Sequence, residues 1–502
     1  MTGIAQYNNN FMDSPEEKYM KQKHAAERFK IIQLGLVPWK INPSLSTSNK
    51  KVYEARPYNI YVFPNEENGN SQLNCEISAM IFNREHGMDF NKWICNGVNY
   101  INSKQYKYLY ESIFDKNVNS YDPNNKNKYK NILLYKEEDK QRYNEFYTKF
   151  LNFYNEPQMK KFKIEAMPKF FLFHFLNNIS QDIRDRIYIS YEKNENNQQY
   201  INIIKVEPNE KKTHIENSNK ESIESLEKTK GVKNIFDTIT KYKKPIIGHN
   251  CSLDILYCIS HFGDPLPDNY SDYKKLIQSY FSGVYDTKFL YNVLYEDIFK
   301  EKNETYNSSL DIVYSTLKEK FVLMNKQNEI EIEIPQNEGY VNYIANTFIQ
   351  NQYHQADYDA FVTGCAYVYI KELVGCEDKL QKLNYKVNIM KSFYHCYDLF
   401  QNEEFESANS IPYCLKSKSK SIDFQLDKII SPHLYKEIKK VYFIEGHNAM
   451  LVFLNIEGGI FRKIEKEFIS NGSRFFDIMS LDDFKKKIKE EENKKYNNSR
   501  KK

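Results

Sequence analysis

Twice in its second half this sequence carries a short apolar run that hands over at once to a stretch of helical period. That pattern restricts the chain to an α/β fold, in which strands feed directly into the helices that cover them. KPIIG (244–248) reads as a short buried strand ahead of the helix LDILYCISHF (253–262), and VYDTKFL, just beyond Gly283, reads as a second strand end. A further helix runs DYDAFVTGCAYVYIKELVG from Asp357, and its Ala360, Gly364 and Val368 share one face at i, i+4 and i+8. Such a face packs closely on a sheet. In the first half, RFKIIQLGLVPW (28–39) places Ile32, Leu34 and Leu36 on one side at period two, and YNIYVF (58–63) repeats the pattern before Pro64. Two adjacent strands are expected there, followed by a helix at about Ser78–Glu85.

Between the halves the pattern breaks. Residues from about Phe114 to Asn131 are polar and rich in Asn and Lys, too poor in apolar side chains to fold alone, and read as a loop. Residues 137–206 then form a separate unit, with helices in EEDKQRYNEFYTKFLNFY and FFLFHFLNNI and strands in RIYISYEK and QYINIIKV. This is a small α/β insert. The charged run that follows, 207–229, reads as a linker, either a solvated helix or a tether. Beyond about residue 401 another α/β unit is expected over 415–490, with strands in SIDFQL, KKVYFIE and AMLVFLN, a helix in SPHLYKEI, and a charged tail at 491–502. A length of 502 residues accommodates two or three such cores.

Composition excludes more than it selects. Lys and Arg total 71 against 67 for Asp and Glu, so the net charge of +4 identifies no polyanionic partner, and any RNA-binding surface must be local. The eight cysteines show no Cys-x-x-Cys spacing, which argues against a zinc module or a disulfide framework and fits a reducing compartment, nucleus or cytoplasm. No apolar run approaches the roughly 20 residues of a membrane helix. The N-terminus lacks a basic-then-apolar signal.

Three segments carry chemistry: Gly248-His249-Asn250-Cys251-Ser252-Leu253-Asp254, Asp286-Thr287-Lys288, and His354-Gln355-Ala356-Asp357-Tyr358-Asp359-Ala360. Asp254 stands where a strand hands over to a helix, the crevice in which open α/β sheets hold ligands. His354 stands just ahead of a helix whose first turn carries Asp359. Carboxylates from distant parts of the chain, with an imidazole beside one of them, suit a hard cation and an activated water. Singly each feature has a plainer explanation, since an Asp at a helix start is more often a cap and a lone Lys288 or His354 is more often a surface residue. Their order, all at element ends of one sheet, is what gives them weight.

With these residues in view, KPIIGHNCSLDILYCISHFGDPLP, the DTK downstream and HQADYDAFVTG resemble the second and third exonuclease motifs of the DEDDh ribonucleases, in the poly(A)-specific ribonuclease family. DSPEEKYMKQKHAAERFKIIQLGLVPWK, YNIYVFP and DFNKWICNGVNYI resemble further stretches of that family in the same order, and the likeness covers about residues 1–375. The resemblance implies a ribonuclease-H-like mixed sheet with flanking helices, built from residues 1–112 and 230–400. It also implies a small nucleic-acid-binding insert and a C-terminal RNA-recognition-motif-like α/β domain, although the insert lacks the family's Arg-x-x-x-His signature. It implies that Asp254 and Asp359 are metal ligands for Mg²⁺, two ions in the complete site, that His354 is the general base, that Lys288 faces the RNA backbone, and that Ile4 lines the pocket for the 3'-terminal adenosine.

One part of the family pattern is missing from residues 1–502. Its first motif, Asp-x-Glu, stands immediately before a run resembling Met1-Thr2-Gly3-Ile4. The strand bearing that motif is central in a ribonuclease-H-like sheet, and its loss would leave an apolar slot and unpaired backbone costing more than the roughly 5–15 kcal/mol by which a domain is stable. The expectation is therefore a coding sequence begun too late, and a chain almost inactive as it stands. The implied activity is 3'-to-5' removal of adenosines from RNA with a poly(A) or oligo(A) end, releasing 5'-AMP. Trimming of small-RNA 3' ends and a catalytically dead RNA-binding scaffold are the alternatives. A homodimer and no membrane association complete the expectations.

Overall fold

The computed structural model describes residues 1–5, 13–64, 72–115, 117–120, 134–193, 198–300, 307–335, 355–390, 392, 394 and 396–400, then four strands between 410 and 480 and a few single positions after 465. The first helix, Pro15–Arg28, starts at a capping box: Ser14 Oγ accepts from the Glu17 N–H (3.1 Å) and Glu17 Oε2 accepts from the Ser14 N–H (2.9 Å). It buries Tyr19, Ala25 and Ala26 in the largest core cluster, which also contains Leu256, Tyr257, Ile259 and Phe262 of the helix Ser252–Phe262.

The strands expected around residues 32 and 60 are Gln33–Leu36 and Tyr58–Tyr61, paired antiparallel with Leu34 opposite Ile60. The two strand ends of the second half pair in parallel, Ile246–Gly248 with Val284–Asp286, so that Gly248 and Asp286 lie side by side. The first of these is half-buried rather than buried. Three strands were not anticipated: Trp39–Ile41, Lys51–Ala55 and Ile330–Glu333 form one sheet with Lys51–Ala55 in the middle, parallel to the last and antiparallel to the first. Thus, among the described residues, the mixed sheet consists of separate two- and three-stranded ladders.

The helix Ala356–Val374 lies across these ladders. Its glycine face packs as the spacing implied: a Cβ on Gly364 would sit 2.3 Å from the Trp39 indole, and Val368 is buried with Tyr53, Phe321 and Ile330. At the helix start, Gly35 approaches so closely that a Cβ there would meet the Ala356 carbonyl oxygen at 1.8 Å.

The insert has its own core of Phe146, Phe150, Phe153, Leu172, Phe173, Phe175, Ile187, Ile189, Ile201 and Ile203. Helices Glu137–Asn155 and Lys169–Asn178 are where helical period placed them. The unanticipated strand Lys161–Glu165 joins Gln199–Lys205 and Ile187–Lys193 in an antiparallel sheet. Part of the stretch read as a loop joins this core: Val118 is buried in it, and Asn119 exchanges hydrogen bonds with the Ile189 backbone (2.6 and 2.8 Å). The charged run is a helix, Pro208–Thr229, and not a loose tether. It packs on Ser103–Asp115, where the Tyr106 hydroxyl donates to Glu227 (2.5 Å).

In the C-terminal region, strands Ser410–Ser417, Ile438–Ile444, Asn448–Leu454 and Phe476–Ser480 form one antiparallel sheet, with the third beside the first and the fourth on the first strand's other edge. The strand Ser410–Ser417 precedes the segment SIDFQL, which lies outside the described residues, as do SPHLYKEI and the tail 491–502.

Candidate active site

Gly248 ends its strand because the chain doubles back tightly: a Cβ there would stand 2.3 Å from that of Cys251. Asn250 takes the left-handed conformation (φ 57°), which Asn tolerates better than most residues, and its side-chain oxygen accepts from Asn388 Nδ2 at 2.7 Å. This turn delivers Asp254 into the first turn of Ser252–Phe262. Solvent reaches the Asp254 side chain, although protein surrounds it on the remaining sides. Desolvation there pushes its pKa up to about 6, the positive Met1 amine opposes that rise, and nearby Asp286 adds to it.

Residues 1–5 run through the same region, with Ala5 in the left-handed conformation (φ 47°). The Thr2 N–H donates to the Lys30 carbonyl (2.8 Å), and the Thr2 carbonyl accepts from the Glu76 N–H (2.8 Å). Glu76 accepts from the backbone N–H groups of Ile4 (2.9 Å) and Ala5 (3.1 Å), which fixes half-buried Ile4 beside the start of the helix Ile77–Glu85. At the other end of the segment, the Met1 amine is near enough to Asp254 for their charges to interact, although burial dominates and lowers the amine's pKa to about 6.

Lys288 lies in the first turn of Thr287–Phe299, partly buried, and desolvation lowers its pKa while Asp286 acts the other way. Next to it is His249, whose Nδ1 is 2.9 Å from Thr287 Oγ1 and whose Nε2 is 3.2 Å from the Ser308 carbonyl. Desolvation first and the Lys288 charge second depress its pKa to about 4, so this imidazole is neutral at physiological pH. Asp286 links the two motifs. Its buried carboxylate accepts from backbone N–H groups of both the 250–251 turn and the 288–289 helix start.

Asp359 is half-buried in the first turn of Ala356–Val374, a helix that adjoins the strand Ile246–Gly248 leading to Asp254. That first turn is tied to the opposite ladder: Asn59 Nδ2 donates to Asp357 (3.1 Å) and Gln33 Nε2 to Gln355 Oε1 (3.4 Å). His354 lies outside the described residues. The structure therefore joins Asp254, Lys288 and the Met1 nitrogen through one neighbourhood and seats Asp359 on a helix against the same strand. Sequence reasoning missed Asp286, His249, Asn250 and Asn388. Asp286, His249 and Asn250 had a signal, since all three lie within segments singled out for their neighbours. Among the described residues no three His, Cys, Asp or Glu side chains are grouped to hold a metal, and no helix is long and apolar enough to cross a membrane.

The profile of the CAF1 family ribonuclease matches residues 1–367. Poly(A)-specific ribonuclease PARN of Xenopus laevis is 26% identical over 374 residues, covering 73% of this chain and 56% of that protein. PARN of Arabidopsis thaliana is 24% identical over 407 residues (71% and 56%), and poly(A)-specific ribonuclease PNLDC1 of Homo sapiens 25% over 363 residues (72% and 64%). The chain spans little more than half the length of these relatives. The match runs through all three segments that carry chemistry, and by it this chain belongs to the CAF1 ribonuclease family.

Proposed function

We propose that this protein is a 3'-to-5' exoribonuclease that removes adenosines from RNA 3' ends and releases 5'-AMP. The observation that carries the reading is the position of Asp254, an exposed carboxylate in the first turn of the helix that follows the strand Ile246–Gly248, with the Met1 amine near enough for their charges to interact. In the family the first-motif Glu directly precedes the run resembling residues 1–4. Asp254 and Asp359 offer only oxygen donors, which suit Mg²⁺, and they are half of the family's carboxylate set. When bound, two such ions stabilise the charge that develops on the attacking and leaving oxygens.

The chain's own residues have distinct parts. Asp254 and Asp359 would hold the ions, and His354 would take the proton from the attacking water. Lys288, at a helix N-terminus, would neutralise an RNA phosphate, and Ile4 would meet the terminal base. With two carboxylates, residues 1–502 should bind metal weakly and turn over little RNA. In the C-terminal sheet the chain order second, third, first, fourth is that of the β-α-β-β-α-β fold, which supports the RNA-recognition-motif-like reading. We further propose that the nuclease unit pairs as an isologous homodimer.

The test uses 5'-labelled oligo(A) and oligo(U) with residues 1–502 and with a form extended at Met1 by a strand bearing Asp-x-Glu. The extended form should shorten oligo(A) from the 3' end in Mg²⁺ and release 5'-AMP. Internal cleavage, or no shortening by the extended form, would overturn the reading. Equal shortening of oligo(U) would favour general 3'-end trimming.

A further inference from the structure

The three motif segments carry four aspartates: Asp254, Asp286, Asp357 and Asp359. Asp286 differs from the others in being wholly buried, and its carboxylate is saturated. Oδ1 accepts from the N–H groups of Asn250 (2.9 Å), Lys288 (3.0 Å) and Phe289 (3.3 Å). Oδ2 accepts from those of Cys251 (3.1 Å) and Asn388 (3.1 Å), and the Cys251 Sγ lies 3.8 Å from it. A carboxylate presents about four lone-pair sites, so five N–H donors leave none for a cation. The donors come from three separate pieces of chain: the turn that launches the Asp254 helix, the first turn that carries Lys288, and the strand Lys386–Asn388.

We propose that Asp286 is the positioning residue of this site: not a metal ligand, but the single point at which the Asp254 turn, the Lys288 helix start and the 386–388 strand are held in register. The proposal rests on the roles given above to Asp254 and Lys288. Asn at this position presents an NH₂ to donors that need an oxygen. Glu keeps both oxygens but sets them one methylene further out. Misplacement of a catalytic constellation by about 1 Å costs up to about 100-fold in rate.

Two measurements decide it. In residues 1–502, Asp286→Asn should raise backbone hydrogen exchange together in segments 249–252, 287–290 and 387–389, while Asp254→Asn leaves them protected. Loosening of one segment alone would overturn the proposal, and Asp286→Glu gives the same readout if the Asn variant does not fold. In the extended form, Asp286→Asn should lower kcat about tenfold or more with half-saturating Mg²⁺ within about threefold of wild type, and Asp286→Glu should recover part of the loss. A rise in half-saturating Mg²⁺ as large as that of Asp254→Asn would make Asp286 a ligand. Unchanged kcat with a lower melting temperature would make it a purely structural residue. An inactive extended wild type would sink the proposed function, yet the exchange experiment would still decide the role of Asp286.

Discussion

Replacing Asp254 by Asn removes a carboxylate whose ionisation the fold resists. Its pKa is raised to about 6 in the folded protein, against about 3.9 when unfolded. For an acid with a raised pKa, the folded state keeps the proton over a range where the unfolded state has released it. Stability therefore falls as pH rises from about 4 to about 6 and stays lower above that. At about 1.4 kcal/mol for each tenfold difference in acidity, the limit is about 3 kcal/mol. Solvent reaches the side chain, so screening reduces the expectation to about 1 kcal/mol. Without divalent ions at pH 7.5, Asp254→Asn should thus be more stable than the unsubstituted chain, with a melting temperature about 2–4 °C higher. At pH 4.5 the gap should shrink to about two thirds. In the extended form, Mg²⁺ should reverse the order by stabilising only the protein that binds it. Thermal unfolding followed by circular dichroism at the two pH values, in EDTA and then in Mg²⁺, measures all of this. An Asn variant less stable than wild type at pH 7.5, or a gap of the same size at pH 4.5, would refute the reasoning.

Further outcomes test other parts of the structure. Gly364→Ala should destabilise the nuclease unit by about 1–3 kcal/mol, because the new methyl has no room beside Trp39; an unchanged melting temperature would contradict that packing. Lys288→Ala should weaken oligo(A) binding and reduce the slope of log affinity against log salt by about one, measured by fluorescence anisotropy; an unchanged slope would remove Lys288 from the RNA backbone. In the extended form, His354→Ala should lower turnover by roughly 10²- to 10⁴-fold with little change in RNA affinity, and full turnover would exclude it as the base.

The parts of the fold that depend on local pattern were legible in the sequence. KPIIG followed by LDILYCISHF, and DYDAFVTGCAYVYIKELVG with its small-residue face, needed only their own residues to identify them. The strands Lys51–Ala55 and Ile330–Glu333 are different. Each is short and charged, and their pairing spans nearly 280 residues of chain, although the Ile-Glu alternation at 330–333 is a period-two signal that could have been found. Val118 and Asn119 escaped notice because two residues in a polar stretch are enough to dock on a core whose other members lie beyond residue 140. The site divides in the same way. Asp254 and Lys288 stand out at element boundaries, whereas Asp286 reads as an ordinary helix cap until the tertiary fold brings Asn250, Cys251 and Asn388 to it.

The claim that Asp254 and Asp359 belong to one metal site can be measured directly. Crystals of the extended form soaked in Mn²⁺, with data collected at the manganese edge, should show an anomalous peak within about 2.0–2.3 Å of a carboxylate oxygen from each of the two residues, Mg²⁺-type ligation being about 2.0–2.1 Å. Peaks bound by only one of them, or by Asp286, would contradict the assignment.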